Sequence, residues 1–110
     1  MPWIPLHSEE QLSTIREKSA DKTQVIFKHS TRCSVSSMVL SRLEKAGLSE
    51  HIDFYFLDLI AHRNVSNLVA ESFQVWHESP QVLVIKNGEC VYDESHMGIQ
   101  MHEILAEAAA

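Results

Sequence analysis

Two residues of this chain could carry thiol chemistry, Cys33 and Cys90. From Val35 onward the apolar residues Val35, Met38, Val39, Leu43 and Ala46 recur at helical spacing until Gly47 stops them. Cys33 is thus expected at the N-terminus of a helix, where unpaired backbone N–H groups and the positive end of the helix dipole favour a thiolate. Lys28 and Arg32 would push the same way if their side chains approach the sulfur. The Ser36 hydroxyl, one turn further on, could add a hydrogen bond. A buried, inert cysteine calls for apolar neighbours, whereas Arg32, Ser34, Ser36 and Ser37 are polar. Cys90 reads the other way, as a small side chain packed within a strand.

The elements that position Cys33 follow from the hydrophobic pattern. Ser8-Glu9-Glu10-Gln11 has the form of a capping box and predicts a helix over about 8–19, with Leu12 and Ile15 on its inner face. Gln24 to His29 is a short apolar run that predicts a buried strand leading into Cys33. Ile52 to Leu59, interrupted by Asp53 and Asp58, suits a central strand covered on both faces. A helix is expected from about Asn64 to Phe73. Asn87-Gly88 between two apolar runs predicts a hairpin, and a last helix follows Gly98. Helix, strand, helix, strand, helix, hairpin, helix is the thioredoxin order, an α/β fold with a central mixed four-stranded sheet flanked by helices. At 110 residues the chain fits a single domain over 1–110.

Cys33-Ser34-Val35-Ser36 stands where a dithiol oxidoreductase of this fold has Cys-X-X-Cys, with serine replacing the second cysteine. Without a resolving thiol, Cys33 must form a mixed disulfide and pass it to a third party. Phe27, six residues before Cys33, occupies the place of the buried acid of thioredoxins. Ser79-Pro80 opens the strand before the hairpin and is expected beside Cys33. A cis bond there would present the Ser79 backbone to an extended substrate.

Composition narrows the partners. A net charge of -6 argues against nucleic acid and anionic membranes, which want a basic stripe. No apolar run reaches a membrane span, and the opening Met-Pro-Trp-Ile-Pro-Leu-His lacks the pattern of a signal peptide, so a cytoplasmic protein is expected. Two cysteines so far apart form neither a disulfide framework nor a zinc knuckle. No pair of the seven histidines has ligand spacing on one helical face, so no metal is expected. His62, His77 and His102 read as solvated, and His29 as a hydrogen-bonding residue at its strand end, with a base role toward Cys33 as the alternative.

The run Val25-Ile26-Phe27-Lys28-His29-Ser30-Thr31-Arg32-Cys33-Ser34-Val35-Ser36 closely resembles the monothiol bacilliredoxin family of the YtxJ type. The likeness extends from Trp3 through Ser79-Pro80, Lys86-Asn87-Gly88 and His96. Where the familiar motif is Thr-Cys-Pro-Ile-Ser, this chain has Arg32-Cys33-Ser34-Val35-Ser36. The resemblance implies a thiol-disulfide oxidoreductase that removes bacillithiol, a low-molecular-weight thiol, from S-thiolated proteins. Cys33 would be the nucleophile, with Thr31, Ser79 and Pro80 contacting substrate. No bound cofactor is implied; bacillithiol would be a co-substrate and a flavin disulfide reductase a recycling partner. The rival readings are a monothiol-glutaredoxin-like iron-sulfur carrier and a non-catalytic binding module. The carrier wants a glycine directly after the cysteine, where this chain has Ser34.

Overall fold

A computed structural model of the chain describes residues 3–110. The described residues form five strands and four α-helices. In chain order these are β1 (Ile4–Pro5), α1 (Glu10–Lys18), β2 (Gln24–His29), α2 (Ser34–Ala46), β3 (Asp53–Asp58), α3 (Arg63–Phe73), β4 (Gln81–Lys86), β5 (Glu89–Ser95) and α4 (Met101–Ala109). A short 3-10 turn, His96–Gly98, precedes α4. The sheet order is β1-β3-β2-β4-β5, with β2 parallel to β3 and antiparallel to β4.

The four-stranded expectation is corrected to five. Ile4 and Pro5 pair in parallel with Tyr55 and Phe56 along the outer edge of β3, and the Leu6 N–H continues the ladder to the Phe56 carbonyl at 2.9 Å. Two residues are too few to show a period of two, and a proline is tolerated only at such an edge. Other boundaries move slightly: α4 starts at Met101 because His96–Gly98 first makes a 3-10 turn, and β5 extends to Ser95.

Side-chain alternation sorts the core into two halves. Ile26, Tyr55, Leu57, Leu83 and Ile85 face α1 and α3, where Ile15, Val65, Val69 and Phe73 meet them. Val25, Phe27, Phe54, Val82 and Val84 face α2 and α4, against Val39, Leu43 and Ile104. The same alternation fixes the last two residues of β2: Lys28 shares the Ile26 face and His29 the Phe27 face.

The acids in β3 are both accounted for. Asp53 takes salt bridges from Lys18 and Lys22 at 3.1 and 3.0 Å. Asp58 accepts the N–H groups of Ile60 and Ala61, turning the chain toward α3. At the hairpin, Asn87 and Gly88 both have positive φ, 52° and 80°, the geometry of the tight turn that favours Asn-Gly. Ser19 holds this turn: its carbonyl accepts the Asn87 N–H and its hydroxyl the Gly88 N–H.

Candidate functional site

Cys33 is the N-cap residue of α2, half-buried, with extended backbone angles. Its N–H donates to the Ser30 carbonyl at 3.2 Å and its carbonyl accepts the Ser37 N–H at 3.2 Å. No side chain caps this helix start. The first-turn N–H groups are therefore left without a side-chain partner beside Cys33.

Ser36 is fully buried, and its hydroxyl is already engaged. Its oxygen accepts the Ser30 N–H at 3.1 Å and lies 2.7 Å from His29 Nδ1. The hydroxyl has one proton to donate and two lone pairs to accept with, so it bridges the Ser30 N–H and the His29 ring whichever tautomer the ring adopts. Burial between Phe27 and Phe56 lowers the His29 pKa and keeps the ring neutral, against a weaker upward pull from Asp58 and Glu44. The partners that the structure gives the Ser36 hydroxyl are Ser30 and His29 rather than the sulfur. Ser36 ties the loop before Cys33 to the end of β2, and His29 is its partner.

Lys28 also departs from expectation. It is fully buried on the α3 side of the sheet, with its ammonium 3.1 Å from His77 Nδ1. As a thiolate stabiliser it is therefore corrected, since alternation along β2 sends it to the face opposite His29 and Ser36. Burial pushes its pKa down to about 8. His77 is exposed, as expected of a solvated residue, yet its Nδ1 meets Lys28 and the Ser66 hydroxyl, the latter at 3.4 Å. Its pKa is lowered, first by burial and then by the Lys28 charge.

Arg32 and Thr31 are exposed. The Arg32 backbone N–H donates to the Ser30 hydroxyl at 3.3 Å. Among the described residues its guanidinium joins no salt bridge, so a free positive charge adjoins Cys33 in sequence. The Ser79-Pro80 peptide is cis. Antiparallel pairing of Lys28 with Gln81 brings Pro80 abreast of His29 at the Cys33 end of the sheet. The Pro80 carbonyl accepts the His96 N–H at 3.0 Å, and the Ser79 hydroxyl is buried without a hydrogen-bond partner.

Cys90 sits at the other end of the sheet. It pairs with Ile85, which pairs with Gln24, the first residue of β2, whereas Cys33 lies beyond the last. The length of β2 alone separates them by about 16 Å at ~3.3 Å per residue, and a disulfide needs Cα atoms within about 7 Å. Burial pushes the Cys90 thiol up to about 11, and its sulfur donates to the Tyr92 carbonyl.

This geometry has known counterparts. A solved structure described as a candidate oxidoreductase with a thioredoxin fold is 31% identical, covering 97% of this chain and 93% of its own, with a TM-score of 0.82. Thioredoxin of Malassezia sympodialis superposes with a TM-score of 0.76 at 18% identity, over 99% of this chain and 92% of that one. Thioredoxin f2 of Chlamydomonas reinhardtii does so with a TM-score of 0.71 at 13% identity, over 96% and 92%. These two show the shared fold. The family model described as monothiol bacilliredoxin BrxC matches residues 4–104. The chain belongs to the monothiol bacilliredoxin family. It is a thiol redox protein, and the bacilliredoxin match spans every element from β1 into α4.

Sequence reasoning missed His77 and Gln81. Gln81 is buried and donates to the Trp76 carbonyl at 2.9 Å while its own carbonyl oxygen accepts the Glu78 N–H at 3.4 Å. A signal did exist: Lys28 follows three apolar residues in a buried strand, and a buried ammonium requires a partner.

Proposed function

We propose that this bacilliredoxin removes bacillithiol from S-thiolated proteins by monothiol exchange at Cys33. The Cys33 thiolate attacks the bacillithiol sulfur of the protein mixed disulfide. A disulfide forms between Cys33 and bacillithiol as the original one breaks, and the protein leaves as a thiolate that takes a proton from water. A second small thiol, or a flavin disulfide reductase, then attacks the Cys33 adduct and regenerates the thiolate. No bound cofactor takes part in either exchange.

The observation that supports this reading is the pairing of a half-buried Cys33 at an uncapped helix start with a buried Ser36 in the resolving position. Arg32 and the first-turn N–H groups suit an anionic small thiol. The test is intact-mass analysis after incubation with oxidised bacillithiol, glutathione and coenzyme A in competition. A bacillithiol adduct forming fastest, on Cys33 alone, is the expected result. A faster glutathione or coenzyme A adduct would reassign the thiol, and no adduct on Cys33 would end the exchange reading.

A further inference from the structure

Lys28 is a costly residue in its position. Its side chain is fully buried, no carboxylate pairs with it among the described residues, and its ammonium meets one neutral acceptor, His77 Nδ1 at 3.1 Å. A methionine of similar volume would avoid the desolvation of a charge. What methionine could not supply is a directed hydrogen bond to the segment that joins α3 to β4.

Within that segment, residues 74–80, Val75 packs partly against the core and Pro80 is buried, but Trp76 and His77 between them are exposed. Its largest side chain, Trp76, is 89% exposed. Polar bonds from the sheet and from α3 hold this stretch. Lys28 and Ser66 take His77, and Gln81 takes the Trp76 carbonyl and the Glu78 N–H. Outside, Glu78 reaches His96 at 3.4 Å. The segment ends at Ser79-Pro80, abreast of His29 and at the Cys33 end of the sheet.

We propose that Lys28 and His77 are positioning residues that fix the backbone of residues 77–79 for docking of an extended polypeptide disulfide beside Cys33. The inference rests on the exchange function proposed above and deepens it: an extended polypeptide flanking the disulfide offers the Ser79 backbone a longer pairing than a small disulfide can. Lys28 acts through His77 and never touches the sulfur. Its loss therefore falls on recognition of polypeptide and leaves the thiol's own reactivity alone.

The experiment compares Lys28→Met, His77→Leu and His77→Asn with the unaltered protein. Asparagine keeps an acceptor oxygen near the place of Nδ1. KM and kcat are measured with a protein mixed disulfide and with a small mixed disulfide, alongside the iodoacetamide rate of Cys33. For Lys28→Met and His77→Leu the expected result is a KM for the protein substrate raised about tenfold, the loss of one charge-assisted hydrogen bond. Small-disulfide turnover and alkylation stay unchanged, and His77→Asn retains the lower KM. An unchanged KM in both variants overturns the inference. So does slowed alkylation, which would mean that Lys28 acts on the sulfur after all. Absence of turnover in the unaltered protein overturns the exchange reading and this inference together, so the two failures are told apart.

Discussion

The hydroxyl of Ser36 lies 2.7 Å from Nδ1 of His29, joining the first turn of α2 to the last residue of β2. Both residues are buried, and the same hydroxyl oxygen accepts the Ser30 N–H. The loop that delivers Cys33 is thereby closed on itself by one side chain.

Ser36→Ala should lower stability by about 1–3 kcal/mol, because it strands a buried N–H and a buried ring nitrogen together. Urea unfolding of the variant measures this. A midpoint equal to that of the unaltered protein would show that the hydroxyl contributes nothing to holding the loop.

Ser36→Cys should turn the site into a dithiol. After Cys33 takes up a small-thiol adduct, the new thiol attacks the Cys33 sulfur, the small thiol leaves, and an internal disulfide remains. Mass spectrometry then finds the chain lighter by two hydrogens and free of adduct. A persistent adduct would show that residue 36 cannot reach the sulfur.

Cys33→Ser should abolish exchange, while Cys90→Ser leaves it nearly intact. With its thiol pushed up to about 11 by burial, Cys90 should stay unreacted with iodoacetamide at pH 8 in the native state. One equivalent is then incorporated before unfolding and two after. Incorporation of two in the native protein contradicts the burial argument.

Lys28 gives stability a pH signature. Its folded pKa of about 8 lies below the usual lysine value of 10.5, so between these values the unfolded chain binds more protons. Stability therefore rises with pH across that window, and below about pH 8 the full cost of the buried charge is present. Lys28→Met should remove this rise. Melting temperatures of both proteins from pH 7 to 10.5 supply the comparison, and parallel curves would show that the ammonium is better solvated than its position implies.

The fold was legible because its signals are local. Asn87-Gly88 encodes its turn, Gly47 ends α2, and the helical spacing after Val35 places Cys33 at a helix start. β1 was not legible, since Ile4–Pro5 is recruited by the exposed edge of β3 and has no pattern of its own. Even the stop of α3 at Gln74, with φ of 55°, uses a residue that carries no stop signal. Within the site, the places of Cys33 at a helix start and of Ser79-Pro80 at the same end of the sheet follow from sequence order and topology. The directions of Lys28 and Ser36 do not. Proximity in sequence suggested that both served the sulfur, but one step along a strand reverses the face, and the Ser36 hydroxyl meets Ser30 and His29 instead.

The distance between Cys33 and Cys90 makes the molecule monovalent toward disulfides. Neither thiol can discharge the other within one chain, so under the proposed exchange each copy would hold at most one passenger at Cys33 until an outside thiol removes it. The quantity of protein sets how many adducts can be held at one moment, and the supply of that outside thiol sets how often the site is vacated.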